Sequence, residues 1–116
     1  MALHLHSVTL DADDPVRLAE FWSQVTGYEV ALASENFAQL AGDGSVGPGF
    51  MFIKVPEAKS AKNRMHIELG TADLDAEIDR VLALGASLKG RYDEWGTQWA
   101  TLLDPEHNEF CIGLHR

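Results

Sequence analysis

The chain has 116 residues, a single cysteine and a formal net charge of −9. This length predicts one domain with a buried core. One cysteine excludes an internal disulfide, which favours a reducing cytoplasmic setting. The acidic balance makes nucleic acid and membrane surfaces poor candidate partners. No apolar run is long enough for a membrane span, and the first residues lack the pattern of a signal peptide, so neither is expected.

The first half of the sequence predicts a strand, a helix and three further strands. Alternating apolar and polar residues predict the first strand over residues 5–12. Asp14 and Pro15 are typical N-cap and first residues of a helix, and Gly27 is placed to end it. The helix has an apolar face of Leu18, Phe21, Trp22 and Val25. Turn residues then separate three strand candidates, at residues 28–32, 37–40 and 50–55.

The second half repeats this pattern. Residues 65–70 predict a strand, Asp73 an N-cap and Gly85 a helix end. The next strands are predicted at residues 87–91, 97–103 and 109–114. The offset that aligns Asp14 with Asp73 also aligns Ser7 with His66. An internal repeat of a βαβββ unit follows, with one module at residues 3–56, the other at 64–116, and a polar connector between them inside a single domain, residues 1–116.

The order and spacing of these motifs resemble the glyoxalase/bleomycin-resistance/extradiol dioxygenase (vicinal oxygen chelate) superfamily, and within it the glyoxalase-like subgroup. The segments that carry the resemblance are Asp14-Pro15, Phe21-Trp22, Thr26-Gly27-Tyr28, Val55-Pro56-Glu57, Lys62-Asn63-Arg64-Met65-His66, residues 66–74 (HIELGTADL), residues 83–86 (ALGA) and residues 104–110 (DPEHNEF). The resemblance implies an α+β fold in which two βαβββ modules form a curved mixed sheet around a shared cavity. It also implies a homodimer.

The strand alternation then divides the side chains between the helix side and the cavity. The predicted core comprises Val8, Leu10, Leu18, Phe21, Trp22, Ile67, Leu69, Ile78 and Val81. The predicted ligand pocket comprises Ser7, Thr9, Phe52, His66, Glu68, Trp99 and Cys111, with Asp11 also on the cavity side. For Trp99 two interpretations stay open, a cavity wall or a packing residue between the modules.

The resemblance implies a divalent metal held by a His on the first strand of each module and a carboxylate on the last strand of each. The matching positions hold Ser7, His66 and Cys111, and the fourth has no carboxylate near it. Glu68 is expected about 6–7 Å further along its strand than His66. Because divalent metal sites usually need three or more protein ligands, we expect no metal cofactor. A rearranged site of His66, Cys111 and Glu68 is the alternative.

The remaining histidines are assigned more ordinary positions. His4, His6 and His115 are expected at the surface or rim. His107 stands where the superfamily usually has Gly, so a positive φ is expected there, with a rim contact to ligand as the alternative. Cys111 is expected to be a small filler residue, with a nucleophile as the alternative.

Three functions are compatible with these features. The first is a metal-free protein that binds a small cationic or neutral molecule, with His66 as a polar contact. The second is a lyase, isomerase or dioxygenase that uses an atypical metal site or His66 as general base. The third is an interaction module without a small ligand. The replaced ligand positions favour the first, and the fold alone does not choose between them.

Overall fold

The computed structural model describes residues 5–41 and 48–115, which divide into two compact units between Ala58 and Lys59. The first unit contains β1 (Ser7–Ala12), α1 (Pro15–Thr26), β2 (Glu29–Ala33), β3 (Phe37–Ala41) and β4 (Gly49–Lys54). The second contains β5 (Ile67–Thr71), α2 (Leu74–Leu84), β6 (Ser87–Glu94), β7 (Thr97–Leu103) and β8 (Glu109–Leu114). In the described residues each unit has one four-stranded mixed sheet, ordered β1-β4-β3-β2 and β5-β8-β7-β6. The α+β class and the βαβββ repeat are confirmed.

Both helices begin and end as the sequence predicts. The carboxylates of Asp14 and Asp73 accept backbone N–H groups of the first helical turn, at 3.2 and 3.1 Å. Gly27 and Gly85 follow the helices with φ of 79° and 120°, a left-handed conformation in which a Cβ is strained. None of the helices in the described residues is long and apolar enough to cross a membrane.

The core of the first unit lies between α1 and its sheet. Trp22 of α1 is fully buried, and its ring meets Phe50 of β4 edge to face, with centroids 5.8 Å apart. Phe52 lies two residues further along β4, so it shares this helix-facing side, and it is 0% exposed. The expectation that Phe52 lines a ligand pocket is therefore wrong. The register pairs it with Leu10, and the alternation places Met51 on the opposite face instead.

The core of the second unit lies between α2 and β7–β8, but β5 contributes less to it than predicted. Ile78 and Val81 of α2 and Ile112 of β8 are buried. Ile67 and Leu69 of β5 are only half-buried. The same holds in the first unit, where the predicted core residues of β1 are Val8 and Leu10. Within residues 5–41 and 48–115 both strands are at the edge of their unit's sheet, with a neighbour on one side only, so each has packing partners on fewer sides than a central strand has.

The end of the polar connector is fastened to the second unit. The ammonium of Lys59 lies 3.1 Å from Oε1 of Glu109, and the backbone N–H of Asn63 donates to Oε2 at 2.8 Å. Glu109 is the first residue of β8 and is 8% exposed. Its carboxylate therefore fixes the chain that leads into His66 and β5.

Candidate functional site

The candidate site lies on one face of the second unit's sheet, opposite α2. The helix side is marked by Arg91 of β6, whose guanidinium reaches the carboxylate of Asp75 on α2 at 2.7 Å. The cross-strand partners of Arg91 share this helix side. The residues next to them along each strand point to the opposite face of the sheet. They form two rows across β5-β8-β7-β6, which we call the site face: Glu68, Cys111, Thr101 and Gly90 in the first row, and Gly70, Gly113, Trp99 and Tyr92 in the second.

Three chemically active side chains converge at one end of the first row. The ligand atoms of His66, Glu68 and Cys111 all lie within 4.8 Å of one another. His66 and Glu68 are exposed, whereas Cys111 is 6% exposed. The hydroxyl of Thr101 lies 3.4 Å from the Cys111 sulfur, close enough for a hydrogen bond with either atom as donor. We call the first three residues the site cluster.

This convergence shows that the spacing expected along the strand does not keep the side chains of Glu68 and His66 apart. The strand rise separates residues i and i+2 by about 6–7 Å at the backbone. The Glu side chain is long enough to bring its carboxylate back toward the imidazole. Cys111, which pairs with Glu68 in the register, supplies the third atom from the neighbouring strand.

The site cluster fits a divalent metal of borderline softness. An imidazole nitrogen, a carboxylate oxygen and a thiolate sulfur are all ligands that zinc accepts, and three protein ligands leave a fourth position for water or substrate. Among the described residues, His66, Glu68 and Cys111 form the one group of three His, Cys, Asp or Glu side chains that lie close enough together to hold an ion. The same groups can also bind an organic molecule directly, because His66 and Glu68 present a donor or acceptor and a negative charge to solvent.

An aromatic stack occupies the far end of the second row. Tyr92 and Trp99 are cross-strand partners with nearly parallel rings, 5.2 Å apart at 24°. Trp95, at the β6–β7 turn, stacks on Trp99 with centroids 5.8 Å apart at 13°. We call these three residues the aromatic shelf. Trp99 thus lies half-buried on the site face. Tyr92 and Trp95 were not predicted as site residues, although a two-residue turn at Trp95-Gly96 pairs Tyr92 with Trp99 and is therefore a signal for Tyr92.

His115 lies over the β5 and β8 positions of the second row of the site face. A Cβ added at Gly70 would be 2.8 Å from Cδ2 of its imidazole, and one at Gly113 would be 3.3 Å from Nε2. The ring therefore rests on these two glycines, between the site cluster and the aromatic shelf. His115 is exposed as expected, but it belongs to the site face rather than to an unrelated part of the surface.

Two predicted pocket residues of the first unit, Ser7 and Thr9, lie on one face of its sheet. Among the described residues of this unit no group of His, Cys, Asp and Glu side chains is close enough together to hold a metal ion. Ser7 is half-buried, and its hydroxyl lies 3.7 Å from the sulfur of Met51. Thr9 is exposed and pairs with Met51 in the register. Both are on the face opposite Phe52. His6 is exposed, and His4 lies outside the described residues.

The turn before β8 explains His107 without a ligand. His107 has a φ of 69°, the positive value predicted for it. Asp104 is buried, and its carboxylate accepts two backbone N–H groups of the turn and the Asn108 side-chain amide, at 2.8 to 3.0 Å. This network fixes the turn that positions β8, and with it Cys111.

Comparison with known proteins agrees with this architecture. A family model described as a glyoxalase-like domain matches residues 7–113, which confirms the resemblance in the sequence. Comparison with curated proteins gives no significant match.

Several solved structures share the fold. A glyoxalase/bleomycin resistance protein/dioxygenase family enzyme from Burkholderia phytofirmans has a TM-score of 0.79 at 22% identity, covering 97% of this chain and 98% of its own. A mutant of the genomically encoded fosfomycin resistance protein FosX from Listeria monocytogenes, complexed with manganese(II) and a dihydroxypropylphosphonic acid, has a TM-score of 0.80 at 16% identity, covering 97% and 90%. Lactoylglutathione lyase from Agrobacterium tumefaciens has a TM-score of 0.67 at 17% identity, covering 95% and 92%.

Proposed function

Because this chain belongs to the glyoxalase-like domain family, we propose that it binds a small organic molecule on the site face, with His66 as the principal polar contact. The observation that carries the proposal is the convergence of the His66, Glu68 and Cys111 ligand atoms within 4.8 Å, with two of the three side chains exposed. A few convergent polar groups beside apolar and aromatic side chains are typical of small-molecule sites.

The electrostatics favour a cationic or neutral ligand. The chain carries a formal net charge of −9, and Glu68 has no ion-pair partner within the described residues. A ligand that donates to Glu68 and exchanges a hydrogen bond with the His66 imidazole would satisfy both groups. In this proposal the ligand is held by the side chains themselves, the protein acts as a homodimer in the cytoplasm, and catalysis is not required.

A metal-dependent lyase, isomerase or dioxygenase is the second candidate, and the same cluster favours it. His66, Glu68 and Cys111 would hold the ion, which would polarise an oxygen of the substrate as a Lewis acid. Cys111 is held in position for this role by its contact with Thr101 and by its place inside β8. An enzyme without metal would instead use His66 as general base.

Native mass spectrometry beside elemental analysis of the purified protein separates these candidates. We expect the native mass to show a bound organic molecule, and the content of zinc, nickel, iron or manganese to stay below one equivalent per chain. The bound organic molecule should be lost in His66→Ala. His6→Ala is the matched control, because His6 is also an exposed histidine beside a first strand. A full equivalent of metal that resists mild chelation would establish the second candidate. Absence of both adduct and metal would favour the interaction module, and the native mass also gives the subunit number.

A further inference from the structure

The aromatic shelf ends in an open ring face. Its order is Tyr92, Trp99, Trp95, since Trp99 stacks with both of the others. Trp95 is 86% exposed, while Trp99 between its neighbours is half-buried. Trp99 stacks against one side of the Trp95 indole and leaves most of the ring exposed, so the outer face is available to extend the stack by one more planar ring.

Trp95 occupies a backbone position that ordinarily selects a different residue. Trp95 and Gly96 are the two central residues of the β6–β7 turn, with φ of 53° and 75°. Two-residue hairpin turns with positive φ at both positions strongly favour Asn-Gly or Asp-Gly. A large side chain in this conformation costs free energy, and stacking on Trp99 offsets part of that cost. The indole is thereby held parallel to Trp99 before any ligand arrives.

The charges beside this ring are negative and unneutralised. Glu94 precedes Trp95 and lies on the same sheet face as Tyr92, two residues away. Three other carboxylates of the second unit, on Asp75, Glu77 and Glu109, each have a basic partner. Within the described part of the chain, Glu94 and its neighbour Asp93 have none. The shelf therefore combines the negative face of an indole with the free carboxylate of Glu94, which together attract cations and repel anions, while Asp93 lies on the other face of the sheet.

We propose that the aromatic shelf binds a planar aromatic cation, stacked on the outer face of Trp95 with its positive charge beside Glu94. This inference rests on the proposed function and names the chemical class of its ligand. The site cluster is adjacent on the same face, since Trp99 and Thr101 alternate on β7. A ligand longer than one ring system would extend from the shelf across His115 toward Glu68.

Equilibrium dialysis of the wild-type protein tests the charge and shape of the ligand. The probes are three planar tricyclic compounds of similar size: proflavine, which is cationic at neutral pH, acridone, which is neutral, and anthracene carboxylate, which is anionic. We expect proflavine to bind with one site per chain and about tenfold more tightly than acridone, with anthracene carboxylate weakest. Equal affinity for all three would overturn the proposal.

Trp95→Asn is the decisive variant, because Asn is the residue this turn prefers and we therefore expect the variant to fold. We expect proflavine affinity to fall at least about tenfold, the loss of one stacked ring. Leu88→Ala is the matched control, since Leu88 is an exposed apolar residue of the same strand on the opposite face. Glu94→Gln should weaken proflavine about threefold and leave acridone unchanged. Unchanged proflavine binding in Trp95→Asn would overturn the proposal.

Sedimentation of wild type and Trp95→Asn addresses the other occupant of such a surface, a second copy of the chain. We expect the same subunit number for both; dissociation of the variant would show that the shelf is a subunit interface and overturn the proposal. The outcome is separable from that of the proposed function. If proflavine fails to bind while the organic adduct is still lost in His66→Ala, the proposed function stands and the shelf inference fails.

Discussion

Glu68 and Cys111 are direct register partners on the parallel strands β5 and β8. Glu68 is exposed, whereas Cys111 is buried, at 6% exposure. The pair thus joins a solvent-facing carboxylate to a sulfur inside the sheet, and the imidazole of His66 completes the group. The site cluster has a fixed inner member and two outer members that a ligand can reach without rearranging the fold.

Replacement of Cys111 tests whether its role is only packing. Cys111→Ala removes a buried sulfur and its contact with Thr101, and we expect the free energy of unfolding to fall by about 1 kcal/mol. Cys111→Ser keeps a hydrogen-bonding atom for Thr101 but introduces a polar group. Urea denaturation gives both values. A change in ligand binding without a change in stability would show that the sulfur acts on the ligand rather than in the core.

Leu69 and Ile112 are register partners on the helix side of the sheet, but they should differ in their contribution to stability. Ile112 is buried on the central strand β8, so Ile112→Ala should cost about 2–5 kcal/mol. Leu69 is half-buried on the edge strand β5, so Leu69→Ala should cost about 1–2 kcal/mol. Thermal or urea unfolding of the two variants measures the difference. Equal losses would mean that β5 is covered in solution.

Glu109 should make the stability depend on pH in the acid range. Burial raises the pKa of Glu109, but the hydrogen bond from the Asn63 N–H and the ammonium of Lys59 together outweigh this effect. The folded-state pKa of Glu109 therefore lies below its usual value. The unfolded chain then binds the proton more readily than the folded chain. The stabilisation is fully present above the unfolded pKa, about 4.3, and is lost as the pH falls through the lower folded pKa.

Glu109→Gln isolates this contribution. At neutral pH we expect the free energy of unfolding of the variant to be about 1–3 kcal/mol lower than that of the wild type. The Gln side chain has one oxygen that accepts hydrogen bonds, whereas Glu109 accepts with both of its carboxylate oxygens. The two proteins should converge only once the pH has fallen below the lowered folded-state pKa of Glu109. Urea unfolding of wild type and variant across this pH range measures both effects. A parallel pH dependence in the two proteins would exclude Glu109 as its source.

Gly70 and His115 should be energetically coupled. Gly70→Ala places a methyl group 2.8 Å from the His115 imidazole, which must rotate away. Because the ring is the far end of an exposed side chain that can rotate away, we expect a cost of only about 0.5–1 kcal/mol. In a His115→Ala background the same substitution should cost nothing measurable. A double-mutant cycle measured by urea denaturation gives the coupling, and strict additivity would show that the ring does not rest on Gly70.

The sequence by itself determined the element order, the helix ends and the face on which His66 and Glu68 lie. These features follow from local rules. Asp14 and Asp73 satisfy free N–H groups within one turn, Gly27 and Gly85 adopt a conformation that other residues resist, and strand alternation assigns faces with a period of two. They depend on residues only a few positions apart, so a single sequence contains them.

Only the tertiary structure decided what meets across the strands. Phe52 was assigned to the wrong face because its phase is set by pairing with Leu10, which lies far away in the sequence. The turn at Trp95-Gly96 already sets Tyr92 opposite Trp99, whereas the irregular register between Leu88 and Gly90, which puts Leu88 and Tyr92 on opposite faces of one strand, has no local signal. Strand rise gives the spacing of backbones along one strand, whereas the meeting of Glu68 with the Cys111 sulfur is fixed by the lateral register of β5 and β8 and by how far a carboxylate reaches.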